Sequence, residues 1–151
     1  MAYTAKDYNN LIGMEGFGET LLKNHFTLYQ GYVTNTNKVL DTLPEMAKGG
    51  KIGTPEYAEL KRRLGWEFNG MRLHELYFEN LGGKAALNKA GKLGKKLAEE
   101  FGSYENWEAD FKGVGTMRGI VWAILYQDPV SGRLINQWIN EHDVGHPAGC
   151  N

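Results

Sequence analysis

The chain of 151 residues contains four histidines, and imidazole is the commonest protein ligand for redox metals. Two of them, His25 and His74, fall within long stretches whose apolar residues recur at helical spacing. Each lies on the apolar side of its predicted helix, so an antiparallel pair of helices would bring the two imidazoles face to face. A hydrogen-bonded core histidine is the simpler interpretation of either residue alone. The presence of one on each helix shifts the balance toward a metal site.

The remaining side chains favour few other kinds of chemistry. The only cysteine, Cys150, excludes an internal disulfide and makes a cysteine-based zinc cluster implausible. Residues 83–96 are rich in Gly and Lys but lack the ordered pattern of a phosphate loop. No Gly-x-Ser-x-Gly nucleophile motif occurs.

Charge and hydropathy exclude two classes of partner. With 17 basic and 18 acidic side chains, the net charge of -1 supplies no net field that would recruit nucleic acid or an anionic membrane, and only a local basic patch such as KAGKLGKK at 89–96 stays open. No apolar run is long enough for a signal peptide or a membrane span. We therefore expect a cytoplasmic protein that binds neither nucleic acid nor membrane.

The elements that must position the two helical histidines are predicted from periodicity and end signals. Apolar spacing predicts a first helix over residues 19–43, ended by Pro44 and the glycines that follow. The pair Thr54-Pro55 is a start signal for a second helix, which closes at the glycine pair 82–83. Two long helices with a short connection predict an antiparallel hairpin.

The second half of the chain has a mixed pattern. A weak helix is predicted over residues 85–100 and another over 104–113, the latter capped by Ser103. Residues 119–126 and 133–139 have the length and composition of two strands joined by a tight turn. A two-stranded hairpin is marginal without a third strand or a helix to complete its sheet, and the last residues supply neither.

Together these elements predict an α+β fold. Its first domain, residues 1–83, is an antiparallel helical hairpin. Its second, residues 84–151, is a partial α/β domain with a small antiparallel sheet whose third strand is missing. The glycine-rich connection near residue 82 is the predicted boundary.

Four short stretches carry a family resemblance. They are NHFTLYQGYVTNTN at 24–37, HELYFENL at 74–81, FGSYENW at 101–107 and VWAILY at 121–126. In that order and spacing they resemble the first ligand helix, the second ligand helix, a Phe-Gly-Ser-aromatic segment and the first strand of the iron/manganese superoxide dismutases. On these residues the chain is identified as a member of that family.

The resemblance implies that superoxide is converted to dioxygen and hydrogen peroxide at one iron or manganese ion, in a homodimer or other homo-oligomer. His74 matches the family's second metal ligand without a gap. Tyr32 matches the tyrosine at the substrate entrance, and Trp122 matches the aromatic wall of the metal pocket. His142 falls where the family places a Gln or His that hydrogen-bonds toward metal-bound solvent and tunes the reduction potential.

The match to the family's first ligand position is less direct. An ungapped match from Tyr32 places Asn24 at the ligand position and His25 one residue beyond it. A one-residue deletion repairs the match, of the kind that removes or adds a π-bulge in a helix. It leaves His25 and Tyr32 seven residues apart, on nearly the same helix face. We assign His25 as the first ligand, and a structural histidine remains the alternative.

The family's third and fourth ligands come from an Asp-x-Trp-Glu-His-like motif, which is absent here. Asp143 and His146 carry suitable donor atoms, but the favoured interpretation is that both are exposed turn residues. Two hypotheses follow besides an active dismutase. The chain is an incomplete version of a longer enzyme, which we prefer, or a metal-poor homologue that acts as a non-catalytic helical interaction module.

Overall fold

Two long helices form most of the N-terminal half. The computed structural model describes residues 2–83 and 88–151. Helix α1 spans Glu19–Lys48 and helix α2 spans Pro55–Glu79. The predicted start of α2 is confirmed, because the Thr54 hydroxyl accepts a hydrogen bond from the backbone N–H of Tyr57 and proline occupies the first turn.

Of the two predicted stop signals of α1, Pro44 does not end the helix and the Gly49-Gly50 pair does. The helix continues through Pro44 to Lys48, and the N–H of Gly49 still bonds to the carbonyl of Glu45 at 3.0 Å. Proline removes one helical hydrogen bond, but its fixed φ is helical. Ala47, in the last turn, shares a surface hollow with Tyr57 of α2. The last turn of α1 therefore lies beside the start of α2 and ends at the glycine pair.

The helical hairpin has its own apolar core. A segment that precedes α1 and includes a short 3-10 helix, Asn9–Leu11, packs onto it. Asn37 of α1 holds this segment by accepting from the backbone N–H of Tyr3 and donating to its carbonyl, both at 2.8 Å. The buried side chains of this core are Tyr8, Leu11, Leu22, Phe26, Tyr29, Val33, Met71 and Phe78.

The C-terminal half contains two shorter helices and two strands. Helix α3 spans Lys92–Phe101 and helix α4 spans Tyr104–Gly115. The predicted beginning of α3, at residues 85–87, lies outside the described residues. Ser103 caps α4 as predicted, its hydroxyl accepting from the N–H of Asn106 at 3.0 Å.

The sheet is antiparallel and, in the described ranges, two-stranded. Strand β1 spans Val121–Gln127, strand β2 spans Leu134–Asn140, and Val121 lies opposite Asn140. On the other edge of β1, Gln127 and Asn151 exchange two backbone hydrogen bonds of 2.8 and 3.0 Å, the pattern of an antiparallel residue pair. The predicted α+β class, with a helical hairpin followed by a small antiparallel sheet, is confirmed.

By internal contacts the chain forms two compact units, Met1–Gly83 (the N-terminal unit) and Lys84–Asn151 (the C-terminal unit). Among the described residues, no helix combines the length and the apolar character that crossing a membrane requires.

Candidate metal centre

His74 occupies the buried side of α2, where it is 2% exposed. Its Nδ1 lies 2.6 Å from the backbone carbonyl oxygen of Gly70, one helical turn earlier. A carbonyl oxygen can only accept, so Nδ1 carries the proton and the lone pair of the neutral ring lies on Nε2. A backbone acceptor on one ring nitrogen is the usual arrangement behind a histidine that binds metal through the other. His74 is therefore prepared to act as an Nε2 ligand.

His25 of α1 is the nearest imidazole to His74. The two ring centroids are 4.8 Å apart and the rings are nearly perpendicular. His25 is half-buried, and this burial lowers its pKa, which favours the neutral form that metals bind. Asn24, the alternative at the ligand position, is exposed and lies beside His25 in a surface hollow with Leu21 and Leu28. The geometry thus supports the pairing of His25 with His74.

Tyr32 belongs to the same cluster. Its ring stacks on His74 with centroids 5.2 Å apart. The position opposite must be glycine, because a Cβ on Gly70 would lie 2.6 Å from Tyr32 Cδ1. Burial raises the pKa of the Tyr32 hydroxyl, and the carboxylate of Glu67 raises it further. The phenol, which is protonated at neutral pH even at the ordinary pKa of 10.0, is therefore a weaker acid here.

Sequence reasoning missed a buried ionic network next to His74. Glu75 is 6% exposed and accepts hydrogen bonds from the Tyr29 hydroxyl at 3.0 Å and from Arg72 at 2.6 Å. The Tyr29 oxygen in turn accepts from the backbone N–H of Lys6, also at 3.0 Å. Only the Arg72-Glu75 spacing of three residues is visible in the sequence as a helical ion pair. The network clamps the N-terminal segment against both helices that carry the histidines.

His142 and Trp122 lie together in the C-terminal unit. The indole Nε1–H of Trp122 donates to Nδ1 of His142 at 3.0 Å, and His142 is 6% exposed. Indole is a donor only, so Nδ1 of the neutral imidazole is the acceptor and the proton is on Nε2. His142 is thereby held as an Nε2–H donor. This is the form that a hydrogen bond toward metal-bound solvent requires.

The interpretation of His146 as an exposed turn residue is wrong. His146 is half-buried, with Nε2 2.8 Å from the backbone carbonyl oxygen of His142 and Nδ1 2.5 Å from the hydroxyl of Tyr126. Asp143 is likewise partly buried. Both ring nitrogens of His146 are therefore engaged by protein groups.

The donor set fits a metal in part. In the part of the chain that the structure describes, no three His, Cys, Asp or Glu side chains are placed to hold an ion together. His25 and His74 supply two neutral imidazoles, which suit iron or manganese but do not complete a coordination shell. Of the predicted residues, the structure brings His25, His74 and Tyr32 together within one unit and Trp122 and His142 together within the other.

Comparison with known proteins finds one family. A profile described as "Iron/manganese superoxide dismutases, C-terminal domain" matches residues 89–150. Superoxide dismutase (Mn) 2 of Haloferax volcanii is 33% identical over 127 residues, which cover 84% of this chain and 62% of that protein. Superoxide dismutase (Fe) of Cupriavidus metallidurans is 34% identical over 134 residues, covering 85% of this chain and 66% of that protein.

A third relative is matched over more of its own length. Superoxide dismutase (Mn) of Haloarcula hispanica is 32% identical over 115 residues, which cover 76% of this chain and 78% of that protein. The chain spans less than two thirds of the length of the first two relatives.

Proposed function

This chain belongs to the iron/manganese superoxide dismutase family, and on that premise we propose that it serves the conversion of superoxide to dioxygen and hydrogen peroxide at an iron or manganese ion. The observation that carries the proposal is the pair of adjacent imidazoles of His25 and His74. His74 has its proton held on Nδ1 by the Gly70 carbonyl at 2.6 Å, and the His25 ring lies 4.8 Å away by centroid.

The two histidines would contribute two of the ligands. When bound, an iron or manganese ion supplies the one-electron chemistry by which two superoxide anions and two protons become dioxygen and hydrogen peroxide. His74 offers its Nε2 lone pair, and burial favours a neutral His25. The ring of Tyr32 stacks on His74, which is 2% exposed, and so restricts the orientation of the imidazole.

Proton supply is the second task, and two groups are suited to it. The Tyr32 hydroxyl carries its proton at neutral pH, as tyrosine ordinarily does, and it can donate a hydrogen bond. His142 presents an Nε2–H because Trp122 occupies its Nδ1. The catalytic roles of Tyr32, Trp122 and His142 stay predictions, as do a cytoplasmic location and assembly into a homo-oligomer.

The test measures bound iron and manganese by elemental analysis, together with the consumption of superoxide. It compares this chain, a version continued through its natural reading frame, and both with His74→Ala. Leu76→Ala is the matched control, because Leu76 is exposed on the same helix. We expect metal in the continued chain and its loss with His74→Ala only. Absence of metal from every version would refute the proposal.

The alternative function is a non-catalytic interaction module. Leu21, Leu28 and Leu76 are each more than half exposed, at 58%, 53% and 56%, and Leu21 and Leu28 lie beside His25. Exposed apolar side chains near an incomplete donor set favour association with another surface. This hypothesis predicts a complex without bound metal, which the elemental analysis distinguishes from the enzyme.

A further inference from the structure

The segment that follows β2 is a tight turn with a strained residue. Asn140 and Val144 form an isolated antiparallel pair through backbone hydrogen bonds of 2.9 and 3.3 Å. Between them, Glu141 adopts a φ of 54°, a left-handed conformation that costs a non-glycine residue free energy. The next residue is His142, so this turn decides where the His142 imidazole is presented. A strained turn persists only if other contacts hold it.

His146 supplies such a contact, and its partners select one tautomer of the neutral ring. Its Nε2 lies 2.8 Å from the carbonyl oxygen of His142, which can only accept, so Nε2 carries the proton. Nδ1 of the neutral ring is then the acceptor, and the Tyr126 hydroxyl donates to it at 2.5 Å. Tyr126 is 6% exposed, and burial raises its pKa, so this hydroxyl remains a donor.

We propose that His146 is a positioning residue for His142. Tyr126 donates to His146, and His146 donates to the His142 backbone carbonyl, which closes the turn. The turn holds the His142 side chain so that its Nδ1 meets Trp122 Nε1–H at 3.0 Å. The consequence is a single His142 tautomer with the proton on Nε2. We call the hydrogen bonds from Tyr126 to His146 and from His146 to the His142 carbonyl the relay. A catalytic use of the His142 tautomer rests on the proposed function, whereas the relay itself does not.

The same contacts distinguish His146 from a histidine that binds metal. A ligand histidine donates a lone pair from one ring nitrogen and uses the other for a protein or solvent acceptor. His146 donates from Nε2 to a backbone oxygen and accepts from Tyr126 at Nδ1. Taking up a metal would require breaking one of these hydrogen bonds. A positioning role leaves both hydrogen bonds of His146 intact.

The relay is tested by nitrogen-15 NMR of the histidine rings in the metal-free chain, with amide hydrogen exchange of Val144 as a second readout. The wild-type chain should show His142 as one tautomer protonated at Nε2. His146→Leu should mix the two tautomers and speed exchange of the Val144 amide about fivefold, the effect of one lost hydrogen bond. His146→Gln should restore both readouts to within about twofold, since its amide can donate to the His142 carbonyl.

Tyr126→Phe keeps the test decisive if His146→Leu fails to fold. It removes only the hydroxyl and should mix the His146 tautomers, with a smaller increase in Val144 exchange. Tyr104→Phe is the matched control, because Tyr104 belongs to the same unit and packs on Trp107 and Lys89 instead. An unchanged His142 tautomer and unchanged Val144 exchange in His146→Leu would overturn the proposal. If that variant is unfolded, unchanged His146 tautomers and unchanged Val144 exchange in Tyr126→Phe would overturn it.

Failure of the proposed function gives a different result. If the proposed function is wrong, the wild-type protein will bind neither iron nor manganese, both as the 151-residue chain and as the version continued through its reading frame. The tautomers measured in the metal-free chain would be unaffected. Conversely, a metal-binding chain whose His142 tautomer ignores His146 would refute the relay alone.

Discussion

The two units each contain a pair of histidines, and the pairs are built differently. In the N-terminal unit, His25 and His74 meet ring to ring at 4.8 Å, and aromatic rings surround them. In the C-terminal unit, His142 and His146 are joined through a backbone carbonyl and are held by the Trp122 and Tyr126 side chains. The rings of the first pair are in direct contact, and the second pair is connected by hydrogen bonds that its ring nitrogens form.

The difference lies in the chemical surroundings of each pair. Apolar surroundings favour the neutral imidazole, which is the form that binds metal, as the lowered pKa of His25 shows. Polar surroundings with a donor-only indole and an acceptor-only carbonyl fix which nitrogen carries the proton. We therefore expect metal binding to depend on the first pair and proton placement on the second.

The largest expected effect is the loss of metal on changing His74. Substitutions that only disturb a ligand's hydrogen-bond partner typically weaken metal binding about 10–100-fold. His74→Ala removes the ligand itself, so we expect a loss of more than about 100-fold in iron or manganese affinity. His146→Leu should retain measurable binding. Metal binding is measured by elemental analysis after dialysis. Equal losses of iron or manganese in His74→Ala and His146→Leu would contradict the proposed difference between the two histidine pairs.

The same measurement decides between His25 and its neighbour. His25→Ala should reduce metal binding, because the His25 ring faces His74 at 4.8 Å. Asn24→Ala should not, because Asn24 is exposed. The opposite result would mean that the ungapped family match, with Asn24 at the ligand position, is the correct one.

The second effect concerns the hydrogen bonds that surround each pair. Tyr29→Phe leaves the buried Glu75 without its 3.0 Å donor and the Lys6 N–H without its acceptor. We expect a loss of about 1–3 kcal/mol in the free energy of unfolding, measured in urea. Tyr126→Phe affects only the half-buried His146 and should cost about 1 kcal/mol. A larger loss for Tyr126→Phe would show that the C-terminal pair is the more tightly held.

Tyr29 also gives the stability a dependence on alkaline pH. Burial raises the pKa of its hydroxyl above the usual value of 10.0. As the pH rises above about 10, the unfolded chain releases this proton while the folded chain retains it, so stability falls until the folded-state pKa is passed. Tyr29→Phe should therefore show a shallower alkaline decline than the wild type. Equal slopes would contradict the assignment to Tyr29.

The third effect tests the close approach of the helices. Gly70→Ala would place Cβ 2.6 Å from Tyr32 Cδ1 and should cost about 1–3 kcal/mol by displacing the ring that stacks on His74. Gly31→Ala is the matched control, because no atom lies within 4 Å of a Cβ there, and it should stabilise α1 by up to about 1 kcal/mol. Thermal unfolding of both variants provides the measurement. A stabilising Gly70→Ala would contradict the packing of Tyr32.

The smallest expected effect is the same in both units. Thr54→Ala and Ser103→Ala each remove a side-chain acceptor at a helix start and should each cost about 1 kcal/mol. Thr42→Ala is the control, because its hydroxyl bonds to the Lys38 carbonyl within α1, where alanine has the higher helix propensity. Urea unfolding of the three variants should therefore rank Thr42→Ala as the most stable.

The fold was largely predictable because its signals are local. The helix start at Thr54, the cap at Ser103 and the two strands each depend on a few neighbouring residues, and each is found close to its predicted place. For α1 two local stop signals were available, and only the Gly49-Gly50 pair ends the helix, because the fixed φ of Pro44 is compatible with a helix. The Glu75 network was missed because Tyr29 lies 46 residues away in sequence.

The sequence by itself determined that two helices each carry an inward histidine and that a strand pair follows them, since apolar periodicity, caps and turns act over one or two helical turns. It also placed the chain in its family. Only the tertiary structure decided that His25 rather than Asn24 faces His74, and that His142 and His146 carry their protons on Nε2. The reason is physical: a neutral imidazole places its proton according to the donor or acceptor it meets, and Trp122 and Tyr126 reach these rings from 20 residues away.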